Sequence, residues 1–152
     1  MSNFDFTGPH VSAALICEKV LMEAGNIPSF IRVVDRFTIP KFTGLPAGVQ
    51  LPQQVVQFSF VVILKAGDLG SGSHKLKIRF QKPDGSYVSP DQELSIFFQG
   101  GDDNGVMHTL PVGLPAPEEG LHWFEVYFED QLLTRTPLRI LFQHTFLQPP
   151  PV

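Results

Sequence analysis

Between residues 73 and 81 the chain alternates strictly, with Leu76, Ile78 and Phe80 on one side and Lys75, Lys77 and Arg79 on the other. A period of two with one wet side is the mark of a strand in an antiparallel sheet that covers a core. The pattern recurs in residues 93–99, where Leu94, Ile96 and Phe98 share a side. It appears again in residues 121–129 and 133–143. Helices of any length fit poorly between such segments. The chain carries 14 Phe, 14 Val and 8 Ile but only 6 Ala, and 14 Pro and 13 Gly punctuate it. β-Branched and aromatic residues suit a pleated, half-buried surface, and scarce Ala with frequent Pro disfavours helix.

The 152 residues suffice for one domain. Apolar residues make up 43% and charged residues 17%, which excludes a disordered chain. A core of this size needs no disulfide or metal, and a lone Cys cannot form an intrachain bridge. The cytoplasm is the default setting for such a chain. The opening MSNFDFTGPH has neither the basic nor the apolar region of a secretory signal. The apolar runs are too short to span a membrane as a helix. A net charge of −4 argues against a nucleic-acid partner.

Residues 11–22 read as a strand, with a capped helix as the alternative; residues 29–39 follow as one further strand. Residues 54–64 form the most apolar, central strand. Residues 40–52 and 111–120 are Pro/Gly loops, and Lys82-Pro83-Asp84-Gly85 is a turn. A short strand is expected near residues 106–110. The expected architecture is all-β: an immunoglobulin-like or C2-like antiparallel β-sandwich of seven or eight strands. The missing Cys…Trp…Cys pattern excludes a true antibody-type domain. Residues 1–10 read as an N-terminal arm, 11–143 as the single sandwich domain, and 144–152 as a Pro-rich tail.

The register of the last hairpin follows from parity. Phe124, Val126 and Phe128 must share the core with Leu138, Ile140 and Phe142. A three-residue loop, 130–132, achieves this by pairing Phe124 with Leu138. It places Tyr127 opposite Arg135 and Trp123 opposite Arg139 on the outer side.

Two blocks carry a resemblance. Residues 14–39 contain Cys17-Glu18-Lys19-Val20, Ser29 and Asp35-Arg36; residues 120–140 contain Gly120 and Thr136-Pro137-Leu138. They resemble an uncharacterised bacterial family of small single-domain proteins, a domain of unknown function. The resemblance implies a β-sandwich in a bacterial cytoplasm and no activity.

Cys17 reads as a small buried hydrophobe, because no activating motif surrounds it. His10, His74, His108, His122 and His144 lack metal-ligand spacing. Asp102, Asp103 and Asn104 are candidate oxygen ligands for Ca²⁺ in a Gly-flanked loop, with a polar turn as the plainer reading. Asp35 has the inward parity of Ile31, Val33, Phe37 and Ile39, so it needs a partner or an opening. Lys75, Lys77 and Arg79 read as a solvated basic stripe. The outer stripe Trp123, Glu125 and Tyr127, flanked by Arg135 and Arg139, has the composition of a binding hot spot. The expected function is therefore non-catalytic, with no cofactor: a module acting through contacts with a protein partner or with itself. A Ca²⁺- or anionic-lipid-binding sandwich is the alternative. A small enzyme with a cleft near Asp35 is the third.

Overall fold

The computed structural model describes residues 7–101 and 103–147. Most of the expected N-terminal arm, the Pro-rich end of the tail, and Asp102 lie outside the described residues. Nine strands run in order: β1 (His10–Glu23), β2 (Ile27–Val34), β3 (Arg36–Thr43), β4 (Val55–Lys65), β5 (Ser71–Gln81), β6 (Gln92–Gln99), β7 (Gly105–Pro115), β8 (Gly120–Phe128) and β9 (Gln131–Phe146). A single 3-10 turn, Gly67–Leu69, joins β4 to β5. The strands form two sheets, ordered β2-β1-β4-β7 and β3-β9-β8-β5-β6.

The two sheets bury their apolar faces against each other. Ile16, Phe58, Phe60, Val62 and Leu64 come from the four-stranded sheet. Leu76, Ile78, Phe98, Phe124, Val126, Leu138 and Ile140 answer from the five-stranded one. Every second residue of β4 and β5 points inward, as the alternation requires. Phe124 sits at the centre, stacked on Phe60 with ring centroids 4.5 Å apart and 4.6 Å from Phe80. Phe58 meets it edge-on at 5.8 Å.

The all-β sandwich is as expected, and residues 11–22 are strand. Five details differ. There are nine strands among the described residues rather than seven or eight. The segment read as one strand, 29–39, is two. It breaks at Asp35, where the chain leaves the four-stranded sheet and enters the five-stranded one as β3. β3 then pairs with β9 in parallel, so the sandwich is not wholly antiparallel. β7 runs the full length of β4 despite Pro111 and Pro115. Both β3 and β7 are edge strands, where a proline can turn its missing N–H side away from the neighbour without losing a ladder bond.

The fifth difference is the last hairpin. Its turn has two residues, Glu129 and Asp130, both with positive φ (45° and 64°), which is the geometry favoured by the right-handed twist of paired strands. Phe128 pairs with Gln131 and Tyr127 with Leu132; a bulge at Leu133 then shifts the register, so Val126 pairs with Thr134 and Phe124 with Thr136. The one-residue bulge restores the parity that a three-residue loop would have given. Both apolar sets face the core, but by a different route.

The two outer faces differ. That of the five-stranded sheet carries cross-strand ion pairs: Lys75–Glu93, Lys77–Asp130 and Arg135–Glu125. That of the four-stranded sheet carries Lys19, Glu23 and Lys65 among mostly uncharged residues. Cross-strand partners share a side, so Leu15 lies beside Val61 and Thr109, and Val33 beside Cys17, Ser59 and Pro111.

Candidate interaction face

Three cross-strand rows build the outer face of β5, β8 and β9. Gln81 lies beside Trp123 and Pro137, Arg79 beside Glu125 and Arg135, and Lys77 beside Tyr127 and Leu132. Glu125 is central to this array. It lies on the solvent side of the sheet yet is only 4% exposed.

A buried carboxylate must be hydrogen-bonded and charge-paired to persist. Glu125 is both. The Tyr127 hydroxyl donates to Oε2 at 2.8 Å and the Tyr87 hydroxyl to the same oxygen at 3.0 Å. The Arg135 Nε lies 3.2 Å from Oε1. The Arg135 guanidinium also lies 4.2 Å over the Trp123 ring, and its Nη2 donates to Gln81 Oε1 at 3.0 Å. Arg79 stacks 3.5 Å from the Tyr87 ring centre and pairs with Asp91 at 3.3 Å. Removal from water, then hydrogen bonding to the Glu125 carboxylate, pushes both Tyr87 and Tyr127 above the usual phenol range. Both therefore stay protonated donors at neutral pH.

Tyr87 arrives from the segment between β5 and β6. The Asp84 carboxylate accepts from the Ser86 backbone N–H and hydroxyl, and the Gly85 N–H donates to Lys82 O at 3.0 Å. This is the turn expected at Lys82-Pro83-Asp84-Gly85. It folds the chain back so that Tyr87 bridges Gln81 and roofs Glu125.

Trp123, Glu125, Tyr127 and Arg135 are thus gathered into one array. Arg139 is not part of it. It pairs with Leu121 and lies beside Arg36 of β3, because the two-residue turn, only partly offset by the bulge, leaves β9 two residues from the expected register. Arg135 stands opposite Glu125, not Tyr127, and Trp123 stands opposite Pro137. Sequence reasoning missed Tyr87, Gln81 and the place of Arg79 in the stack. A turn signal that ends two residues before a tyrosine is the trace that could have pointed to Tyr87.

The other candidates are less organised. The Asp35 side chain is 74% exposed and paired with Arg36 at 3.1 Å. A hydrogen bond from Arg36, then its charge, holds the Asp35 carboxyl below the usual range. The expectation of an inward acid fails because Asp35 sits where the chain changes sheets and the parity of one strand no longer applies. Asn104 works in its own turn: its side-chain amide donates to Gly100 O and its backbone carbonyl accepts from Ala66 N–H at 2.8 Å. Among the described residues no three His, Cys, Asp or Glu side chains gather as metal ligands. Cys17 is closed to solvent, and burial pushes its thiol up against a lowering backbone hydrogen bond at Lys19. A raised thiol pKa makes a poor nucleophile. No helix is long and apolar enough to cross a membrane among the described residues.

His122 is buried, with its ring stacked flat on Phe80 at 5.4 Å. Burial pushes its pKa down, against smaller raising contributions from the Gly120 carbonyl and Glu118. His108 is shifted the same way by burial. An unfolded histidine titrates near about 6.5. Below that pH the unfolded chain takes up protons that the folded chain resists, so stability is full above about pH 6.5 and falls as pH drops through it. The melting temperature is expected to fall between about pH 7.5 and 5.5. His122→Phe, which keeps a ring against Phe80, should flatten that slope. An unchanged slope would place the proton uptake elsewhere.

A family model described as a family of unknown function (DUF6941) matches residues 12–141. The chain belongs to the DUF6941 family. No curated protein matches it. Among solved structures it is similar to part of a Bacteroides uniformis β-glucuronidase 2 covalently bound to cyclophellitol-6-carboxylate aziridine, at 15% identity and a TM-score of 0.44, covering 58% of this chain and 12% of that one. It is likewise similar to part of a Listeria innocua β-glucosidase in complex with isofagomine, at 11% identity and a TM-score of 0.40, covering 64% of this chain and 16% of that one. This DUF6941 chain therefore spans less than a fifth of either glycosidase chain.

Proposed function

We propose that this DUF6941 protein is a non-catalytic, immunoglobulin-like β-sandwich module of the bacterial cytoplasm that acts by binding another protein through the outer face of β5, β8 and β9. The observation that carries the reading is the fixed array around Glu125. Trp, Tyr and Arg are the residues that dominate binding hot spots, and ordering such side chains is a large part of what binding costs. Here that ordering is done in the free protein. Arg135 is held between Trp123, Glu125 and Gln81, and Tyr127 is tied to Glu125. A partner would meet a rigid aromatic and guanidinium platform bounded by Lys77 and Asp91.

The test is Trp123→Ser combined with Tyr127→Ser. The double variant is expected to lose partners that co-purify with the wild type from its own cells, with the far-ultraviolet circular dichroism unchanged. Retention of the same partners at the same yield would overturn the reading.

A further inference from the structure

We infer that the free margin of β6 is a strand-addition site, at which an extended segment of another protein pairs with β6 and buries one apolar side chain between the two sheets. This goes beyond the function proposed above. It uses the margin of the sheet rather than the Trp123 and Tyr127 side chains, so either can fail alone.

Four strands stand at sheet margins: β2, β7, β3 and β6. A margin presents unpaired N–H and C=O groups, and proline or a break in the extended backbone is a usual means of blunting it. Three margins are blunted. β2 holds Pro28 and is interrupted by Arg32, whose φ is 53°; β3 holds Pro40; β7 holds Pro111 and Pro115. β6 has no proline and pairs with β5 without a register shift. Its one charged side chain, Glu93, is tied to Lys75 at 3.2 Å.

The direction of the β6 backbone groups follows from β5. The Lys75 N–H donates to the Glu129 carboxylate and its C=O accepts from the Glu129 N–H, on the β8 side. The Phe80 C=O instead accepts from the Val88 N–H, on the β6 side. Backbone groups alternate sides along a strand, so the even residues of β5 serve β6. Their partners are Leu94, Ile96 and Phe98. Glu93, Ser95 and Phe97 therefore turn their N–H and C=O outward, where no strand stands among the described residues. Phe97 is also 55% exposed.

Two hollows flank the way into β6, one on each side of the sheet. The inner one, about 220 Å³, lies between Pro90 and Gln92 and the β7 residues Leu110, Val112 and Leu114. The outer one, about 660 Å³, is lined by Arg79, Tyr87, Ser89, Asp91 and Glu93. An added strand points successive side chains to opposite sides of the sheet, so an apolar residue meets the inner hollow while its polar neighbour meets the outer. In strand addition the main chain supplies affinity, and pockets for alternate side chains supply specificity. The occupant is therefore an extended peptide segment, apolar and polar by turns. The inner hollow is smaller than the roughly 300 Å³ at which small-molecule sites begin, so it suits one side chain rather than a whole ligand. The β6 of a second copy is a poorer occupant. Its inward Ile96 and Phe98 are already buried in its own core, which leaves neither for the hollow.

The experiment is amide hydrogen exchange of the full chain by NMR, followed by selection of displayed random peptides of 8 residues, the length of β6. In the chain alone, the Glu93, Ser95 and Phe97 amides should exchange at least about a hundredfold faster than those of Leu94, Ile96 and Phe98. Equal protection of all six would overturn the inference. It would assign the margin to a second copy if the mass exceeds 16.9 kDa, and to the chain itself if it does not. Selected peptides should carry apolar residues at alternate positions and slow the exchange of Glu93, Ser95 and Phe97. Ser95→Pro removes an outward N–H and no bond to β5, so it should weaken binding by about tenfold. Gln92→Lys changes an exposed side chain and puts a charge at the inner hollow. It should weaken binding by about as much, and it decides the matter should Ser95→Pro not fold. A library that yields no binder would overturn the inference. So would binders that leave those three amides unprotected, or that Gln92→Lys does not weaken.

Discussion

Phe124→Ala is expected to lower the unfolding free energy by about 4 kcal/mol, the largest effect of any single substitution considered for this fold. Phe124 is closed to solvent and touches three other rings, Phe58, Phe60 and Phe80. Phe58 and Phe60 belong to the facing sheet and Phe80 to the neighbouring strand, so the ring ties both layers together. Truncation removes the transfer energy of a buried phenyl group. It also removes ring-pair contacts, each worth about 0.5–1.5 kcal/mol. The void cannot close easily, because neither sheet can approach the other without straining the packing of Leu76, Val126 and Leu138 around it. Domains of this size are stable by about 5–15 kcal/mol, so the variant should remain folded but with little reserve. Urea unfolding followed by the fluorescence of Trp123, the one tryptophan, measures it. Phe124→Leu should lose about half as much. A loss below about 1 kcal/mol for the alanine variant would mean that the rings do not form the structural centre of the core.

How much of this was legible in the sequence follows from what alternation can and cannot encode. A period of two says which side of a strand faces the core, and it correctly placed Phe124, Val126, Leu138 and Ile140 there. It fixes parity, not pairing. A two-residue turn with a bulge at Leu133 and a plain three-residue loop both keep the parity, and they differ by two residues in register. Alternation also cannot report a change of sheet. At Asp35 the apolar pattern continues from Val33 to Phe37, yet the chain between them crosses from one layer to the other. Proline misled at β7, because its penalty depends on which way the missing N–H would point, and that is known only once the strand is known to be an edge. The candidate site was half visible. Trp123, Glu125 and Tyr127 fall on one side by simple counting, and a cation beside them was foreseeable. The burial of Glu125 was not, because its roof comes from Tyr87, 38 residues earlier, brought over by a turn whose direction local sequence does not specify.

Arg135→Ala is expected to cost about 2–3 kcal/mol although the arginine itself is exposed. Surface ion pairs are usually worth under about 1 kcal/mol, and were this one ordinary the variant would be nearly silent. The difference lies in the partner. Glu125 is buried, and removal of its cation leaves a carboxylate supported by two phenol hydroxyls alone. Stranding a buried charge typically costs about 3–5 kcal/mol; the two remaining donors and the nearness of solvent reduce that here. Loss of the guanidinium from the Trp123 face adds about 0.5–1 kcal/mol. Arg135→Lys keeps the charge but lacks the planar fork that reaches Glu125, Gln81 and the indole together, so it should fall between the two. The decisive comparison is the double variant Arg135→Ala with Glu125→Gln. Once the charge is gone there is nothing left to strand, and the double variant should be at least about 1 kcal/mol more stable than the sum of the single losses allows. Strict additivity would show that Glu125 and Arg135 act independently and that the array around Trp123 owes its order to packing alone.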